Sequence, residues 1–464
     1  NRQLLKLSVW LFYVLLQLYC KRYMLLFVWS NEYSNETKSY QYKVYMKRKK
    51  ITYHHFFKLI IASALVSICS LILVFATQQL TEHMEHLIFE SVSSTQKALF
   101  IFLPTIGITI IYFLRKFLFK GRSNKGITEI YKTLDQRKDH LPAFKVPSHL
   151  INGFLTVVTG GSTGIEVSSV VATATVGNIV YTKHFSANMY KKELICAGVT
   201  AAVALLFASP LAGFLFAMEV IARKSSKSLF LSCSISAMLA WAFILIFNYQ
   251  PLLPFRIDSW NSYALPFFLL LGLIGGLLSV YFTLLVTRIK KLFGTINNNF
   301  LRVNLGAISA GVFIFLFPVL YGDSYHGLKE ILNHTQSITW LSLAILILFK
   351  PLAASLTLGA GGDGGVFAPS IVAGAFLGLL FAQVCNAQFG LQLVPLNFAL
   401  VGAAATLSAS IYAPLTALIL VCNLVPNGYQ LFVPVLLGCF AAKYFAKIIL
   451  PYNVYTYDFY VAKQ

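Results

Sequence analysis

The residues best placed to do chemistry lie in TVVTGGSTGIEVSSVVATATVGNIV, residues 156–180. Glu166 is the only Asp, Glu, Lys or Arg between Val146 and Thr182, and it follows a break formed by Gly160, Gly161 and Gly164. A charge inside an apolar span costs about 2.5–3.5 kcal/mol on insertion, so it marks a pathway or a site. The glycines let the backbone bend, and a helical pattern resumes after them. A helix that starts there directs unpaired N–H groups and the positive end of its dipole into the apolar layer, which suits an anion. A carboxylate beside such a site competes with the anion for it.

A second constellation is GAGGDGGVFAPS, 359–370, where Asp363 is the only charge between Pro351 and Ala442. Backbone broken at membrane depth survives only when buried in protein or lining a cavity. Phe367, between GG and AP, is placed to offer its backbone N–H to a ligand. The two constellations echo each other. ASPLAGFLFAMEV at 208–220 resembles YAPLTALILVCNL at 412–424, with Pro210–Leu211 opposite Pro414–Leu415. Glycine-interrupted segments at matching places in two halves point to a transport site at the midplane. Glu219, the only charge in 194–222, stands one turn from Arg223 and reads as a helix-end ion pair or a proton-path group. GGSTG also fits the G-x-S-x-G nucleophile elbow, which would make Ser162 a hydrolase nucleophile. That elbow needs a strand–turn–helix and a base; no such sheet is predicted, so an intramembrane Ser–His pair is the form left open.

The elements that must position these residues follow from composition. With 57% hydrophobic and 11% charged residues, the chain reads as an all-α polytopic membrane protein. Its net charge of +21 does not imply nucleic acid, because the basic residues lie between apolar spans, as in cytoplasmic loops. Arg115, Lys116, Lys120, Arg122, Lys125, Lys132, Arg137 and Lys138 make one such loop. The seven cysteines are isolated and mostly within apolar runs, which fits small buried hydrophobes rather than disulfides or metal ligands. HMEH at 83–86 lacks a third ligand and reads as a solvated loop. No metal or cofactor is expected. Residues 1–50, including the short apolar run 7–20, carry no assigned function. Residues 51–250 form a first membrane half and 251–464 a second, joined by the proline-bearing stretch 249–262. Whether the halves run parallel or inverted is open at this level.

GGVFAPS at 364–370, a glycine-flanked glutamate and Pro-Leu helices in both halves resemble the CLC family of chloride channels and chloride/proton antiporters, over roughly residues 55–460. The family's G-x-F-x-P motif is intact as Gly365-Val366-Phe367-Ala368-Pro369. Its G-K/R-E-G-P motif stands as Gly164-Ile165-Glu166-Val167-Ser168, and its G-S-G-I-P motif as Asn124-Lys125-Gly126-Ile127-Thr128. The central serine is thus Lys125 and the proline Thr128. The family's anion-binding tyrosine maps to Tyr455, with Tyr452 and Tyr457 close by.

The resemblance implies a CLC-like fold of two inverted-topology halves with tilted, broken helices. It further implies a homodimer in the cell membrane with one anion pathway per subunit. Chloride, or another small anion, would meet Lys125, Gly126, Ile127, Gly365, Val366, Phe367 and Tyr455, and Glu166 would be the gate opened by protons or voltage. No CBS domains are expected after Gln464. Coupled antiporters carry an inner proton-relaying glutamate where this chain has Val220. On that residue alone, gated chloride conduction is favoured over chloride/proton exchange. The rival classes are an organic-anion transporter and the Ser162 hydrolase.

Overall fold

The computed structural model describes residues 35–462, apart from 120, 122–123, 137–139, 184–188 and 336–337, with side chains from 54 onward. The apolar run 7–20 and Lys120, Arg122, Arg137 and Lys138 lie outside the described residues. The chain divides into two compact units, 1–57 and 58–464, and the second holds both predicted halves from residue 58 onward.

Both predicted halves use the same order of elements. In the first, α1 (Asn35–Thr95) leads to α2 (Leu99–Phe113), the short α3 (Ile127–Asp135) and α4 (Lys145–Val158). After the glycine break come α5 (Glu166–Thr182), α6 (Lys191–Leu206), α7 (Pro210–Phe216) and α8 (Lys227–Ile246). The second half runs α9 (Leu265–Gly294), α10 (Asn299–Leu316), the short α11 (Tyr325–Asn333) and α12 (Trp340–Ala360). Its break is followed by α13 (Phe367–Phe389), α14 (Pro395–Ile411), α15 (Pro414–Leu424), α16 (Phe432–Ile449) and the terminal α17 (Tyr457–Val461). The Pro-Leu echo is therefore α7 against α15, each opened by a proline at its first turn, where a missing N–H costs nothing.

The halves interlock: α2 packs on α10, α7 on α15, and α5 on α13. Within each half, the helix after the break lies against its successor at glycine distance. A Cβ on Gly177 of α5 would strike the Leu194 carbonyl, and one on Gly378 of α13 would strike the Phe398 carbonyl. Small residues at such contacts let helices associate where burial of apolar surface gives no drive. Among the described residues, eight helical segments are long and apolar enough to cross a membrane, including 54–95, 227–246 and 367–389.

Two expectations about elements change. HMEH is not a loop but part of α1; His86 pairs with Glu90 at 3.3 Å and meets the His326 ring edge-on. The span 194–222 is interrupted after Leu206, and Ser209 caps the new helix by accepting the Ala212 N–H. The predicted linker does lie between helices, with 247–261 outside any helix.

Candidate anion pathway

Three helix starts meet at one point. A Cβ on Gly365, just before α13, would run into the Val167 side chain in the first turn of α5. A Cβ on Gly126, just before α3, would lie 3.4 Å from the same side chain. Gly126 also has φ +62, a conformation that favours glycine. None of the three starts has a side-chain cap. Among the other helices, Ser209, Ser226, Asn298 and Thr339 cap α7, α8, α10 and α12, while α4, α6, α9 and α14 are uncapped as well. Uncapped N–H groups gathered in one place make a concentrated positive end, where an anion is stabilised.

Tyr455 closes this point. Its carbonyl accepts the Thr128 hydroxyl of α3 at 3.5 Å. Its own hydroxyl is buried, has no hydrogen-bond partner, and faces the Val366 N–H. A buried donor left without an acceptor costs about 1–3 kcal/mol, so the hydroxyl is available to an anion. Tyr452 and Tyr457 instead lie against each other, ring centroids 5.2 Å apart and planes tilted by 58°. The Phe367 ring packs against Phe216 and Phe207, leaving its backbone at the helix start as the contact surface. Ile127 is 1% exposed.

Glu166 is 5% exposed. Its carboxylate folds back over Gly164, where a Cβ would overlap both oxygens. Oε1 accepts the Tyr325 hydroxyl at 3.2 Å, and Oε2 has no partner outside its own residue. Tyr325 in turn lines a cavity of about 720 Å³, together with Glu82, Glu85, Asp323, His326 and Lys329. One residue, Tyr325, therefore touches both Glu166 and that cavity.

Lys125 departs from expectation. Its side chain is exposed, and its backbone N–H donates to Glu129 Oε1 at 2.5 Å, so its charge stands outside the buried junction. Glu219 does not pair with Arg223. Its Oε2 accepts both the N–H and the hydroxyl of Thr416 at 2.9 Å, capping α15 of the opposite half. Arg223, left-handed at φ 55, places its guanidinium 3.7 Å above the Tyr131 ring. A carboxylate gains more from two donors at a helix start than from an arginine turned away by the backbone. Val220 is 3% exposed and its carbonyl accepts the Tyr131 hydroxyl at 3.1 Å.

Lys350 of α12 was not expected here. It is fully buried, and Nζ donates to Ser162 Oγ at 2.8 Å, Gly322 O at 3.1 Å and Ser324 Oγ at 2.7 Å. Three acceptors match the three N–H bonds of an ammonium. Asp323, Glu85 and Glu166 are the acids close enough to act on it. Ser162 Oγ is thus held 2.8 Å from Lys350 Nζ. The signal was present in ILILFKPL: a lysine inside an apolar helix deserves the same reading as Glu166.

Buried starts of broken helices, aimed at one point beside a lone carboxylate, define an anion-transporting membrane protein. A match to the voltage gated chloride channel family spans residues 106–447, and the chain belongs to that family. It is 27% identical over 358 residues to the H(+)/Cl(−) exchange transporter ClcA of Vibrio parahaemolyticus, covering 74% of this chain and 76% of that one. It is 29% identical over 311 residues to chloride channel protein CLC-f of Arabidopsis thaliana, covering 62% of this chain and 39% of that one. Among solved structures, a slow cyanobacterial Cl−/H+ antiporter superposes with a TM-score of 0.74 at 21% identity, covering 88% of this chain and 99% of that one. A CLC-type fluoride/proton antiporter gives 0.73 at 22%, covering 87% and 98%. The fold is accordingly the CLC fold of two inverted halves, in a multi-pass protein of the cell membrane.

Proposed function

We propose that this protein exchanges chloride for protons, with Glu166 as the gate. The observation that carries the reading is the position of its carboxylate, on the first residue of one of the three converging helix starts and hydrogen-bonded to Tyr325, which also lines the cavity. When ionised it competes with the anion for the same positive ends; when protonated it gives up that claim. The anion would be held by the amides at Gly126, Ile127, Gly365, Val366 and Phe367 and by the Tyr455 hydroxyl. The names of the relatives support exchange over the simple conduction expected from Val220. Conduction is the second reading, and that residue favours it. A homodimer with one pathway per subunit is part of the proposal.

Purified protein in liposomes with a chloride gradient separates the two. A reversal potential that shifts with an imposed pH difference supports exchange. One fixed by chloride alone overturns it in favour of conduction. Substituting fluoride, nitrate or an organic anion for chloride in the same assay fixes the selectivity.

A further inference from the structure

An exchanger needs a group that passes protons between the gate and the side opposite the cavity, and Val220 cannot do so. A different ionisable pair is buried behind the anion junction. His149 of α4 is 0% exposed and Asp363, in the second glycine break, 5%. His149 Nδ1 lies 3.1 and 3.0 Å from the two carboxylate oxygens of Asp363. In the neutral ring that contact places the proton on Nδ1 and the lone pair on Nε2. Nε2 is buried and has no hydrogen-bond partner. A fully satisfied structural histidine would not leave a basic nitrogen unpaired in the interior.

Asp363 is hydrogen-bonded from both sides. Asn124 Nδ2 donates to Asp363 at 2.5 Å, and Asn124 Oδ1 accepts from Lys145 Nζ at 3.5 Å. Lys145 Nζ is bound to Glu129 at 2.7 Å, with both side chains about nine-tenths buried. Toward the gate, Ser168 donates to Asp363 Oδ1 at 3.2 Å, from the same first turn of α5 that begins with Glu166. Thr163, just before that turn, has a buried hydroxyl with no partner and packs against Gly364 at 2.5 Å from its Cβ position. The charged groups facing the pair are Arg115, 4.0 Å from Asp363, and Lys290 of α9. Glu129 and Arg302 act on it through Arg115, and Lys145 through Asn124.

Resting on the exchange reading, we propose that His149, oriented by Asp363, is the inner proton carrier of this chain and fills the role that Val220 leaves empty. Nε2 accepts a proton arriving from the basic-loop side, the imidazolium is balanced by the Asp363 carboxylate, and the same proton leaves Nε2 toward Glu166. No other bond changes and no co-reactant is needed. Asp363 is a positioning residue: it sets the tautomer and neutralises the charged form.

The test measures chloride efflux and chloride-driven proton uptake together, in liposomes, for the wild type, His149→Gln, Asp363→Asn and His149→Gln/Val220→Glu. Retained chloride efflux shows that a variant has folded. In both single variants the proton-to-chloride ratio should fall at least tenfold while chloride efflux persists, and Val220→Glu should restore proton movement to His149→Gln. A wild-type ratio in both single variants overturns the carrier and leaves exchange standing. Loss of chloride and proton flux together, in assembled protein, also overturns it, because the pair would then belong to the anion path. A wild type that moves chloride without protons overturns the exchange reading itself.

Discussion

The two glycine breaks occupy equivalent places in the two halves, yet they are wired with opposite charge. The first, at 160–164, contains no charge of its own and receives a cation from the other half, since Lys350 of α12 holds Ser162. The second, at 361–365, carries its own acid and receives donors from the other half, since His149, Asn124 and Ser168 all reach Asp363. Each break is thus stabilised across the repeat boundary. Irregular backbone at membrane depth needs such partners because no water replaces them. The duplication supplied the geometry twice, and the differing side chains place a lone carboxylate after one break and an acid–imidazole pair in the other.

Removing the gate should have the largest effect. Glu166→Ala removes the acid that follows the first break. Chloride flux should become insensitive to pH and proton uptake should vanish; a wild-type pH response of chloride efflux would assign the gate elsewhere. Lys350→Met attacks the bracing of the same break. It leaves Ser162, Ser324 and the Gly322 carbonyl without their donor beside Asp323 and Glu85, which should cost about 3–5 kcal/mol. Thermal unfolding in detergent reads this, and a melting temperature unchanged from wild type would show the ammonium to be dispensable.

Tyr455→Phe tests the junction between the breaks. Losing one hydrogen bond to an anion should weaken chloride binding by about 1.5–3 kcal/mol, roughly 10- to 150-fold. Calorimetry measures it, and equal affinity would leave the amides alone as ligands. The smallest effect is expected at the interlock of the halves. Thr416→Val removes one of the two donors to Glu219 and should lower stability by about 1 kcal/mol with transport unchanged. A larger loss with altered proton coupling would return Glu219 to the proton path.

Much of this architecture is legible in the chain itself. Apolar runs give the spans, glycine clusters give both breaks, and the solitary Glu166 stands out because nothing else between 146 and 182 is charged. Errors arose where a local rule met a tertiary partner. HMEH looks like a loop by polarity, but α1 continues through it. Glu219 and Arg223 have ion-pair spacing, but the backbone turns left-handed at Arg223 and Thr416 offers better donors. Lys125 sits at a ligand position of the motif, but the chain leaves its side chain exposed.

The sequence by itself determined that the protein spans a membrane, that it is built from two similar halves, and that a lone carboxylate follows a glycine break in an apolar stretch. Periodicity and isolated charges are local properties, readable without coordinates. Only the tertiary structure decided which distant groups meet: Tyr325 on Glu166, Lys350 on Ser162, and His149 on Asp363, each across roughly 160–215 residues of chain. Such contacts are set by how helices pack, because a buried polar group is satisfied by whatever partner the fold brings within hydrogen-bond reach.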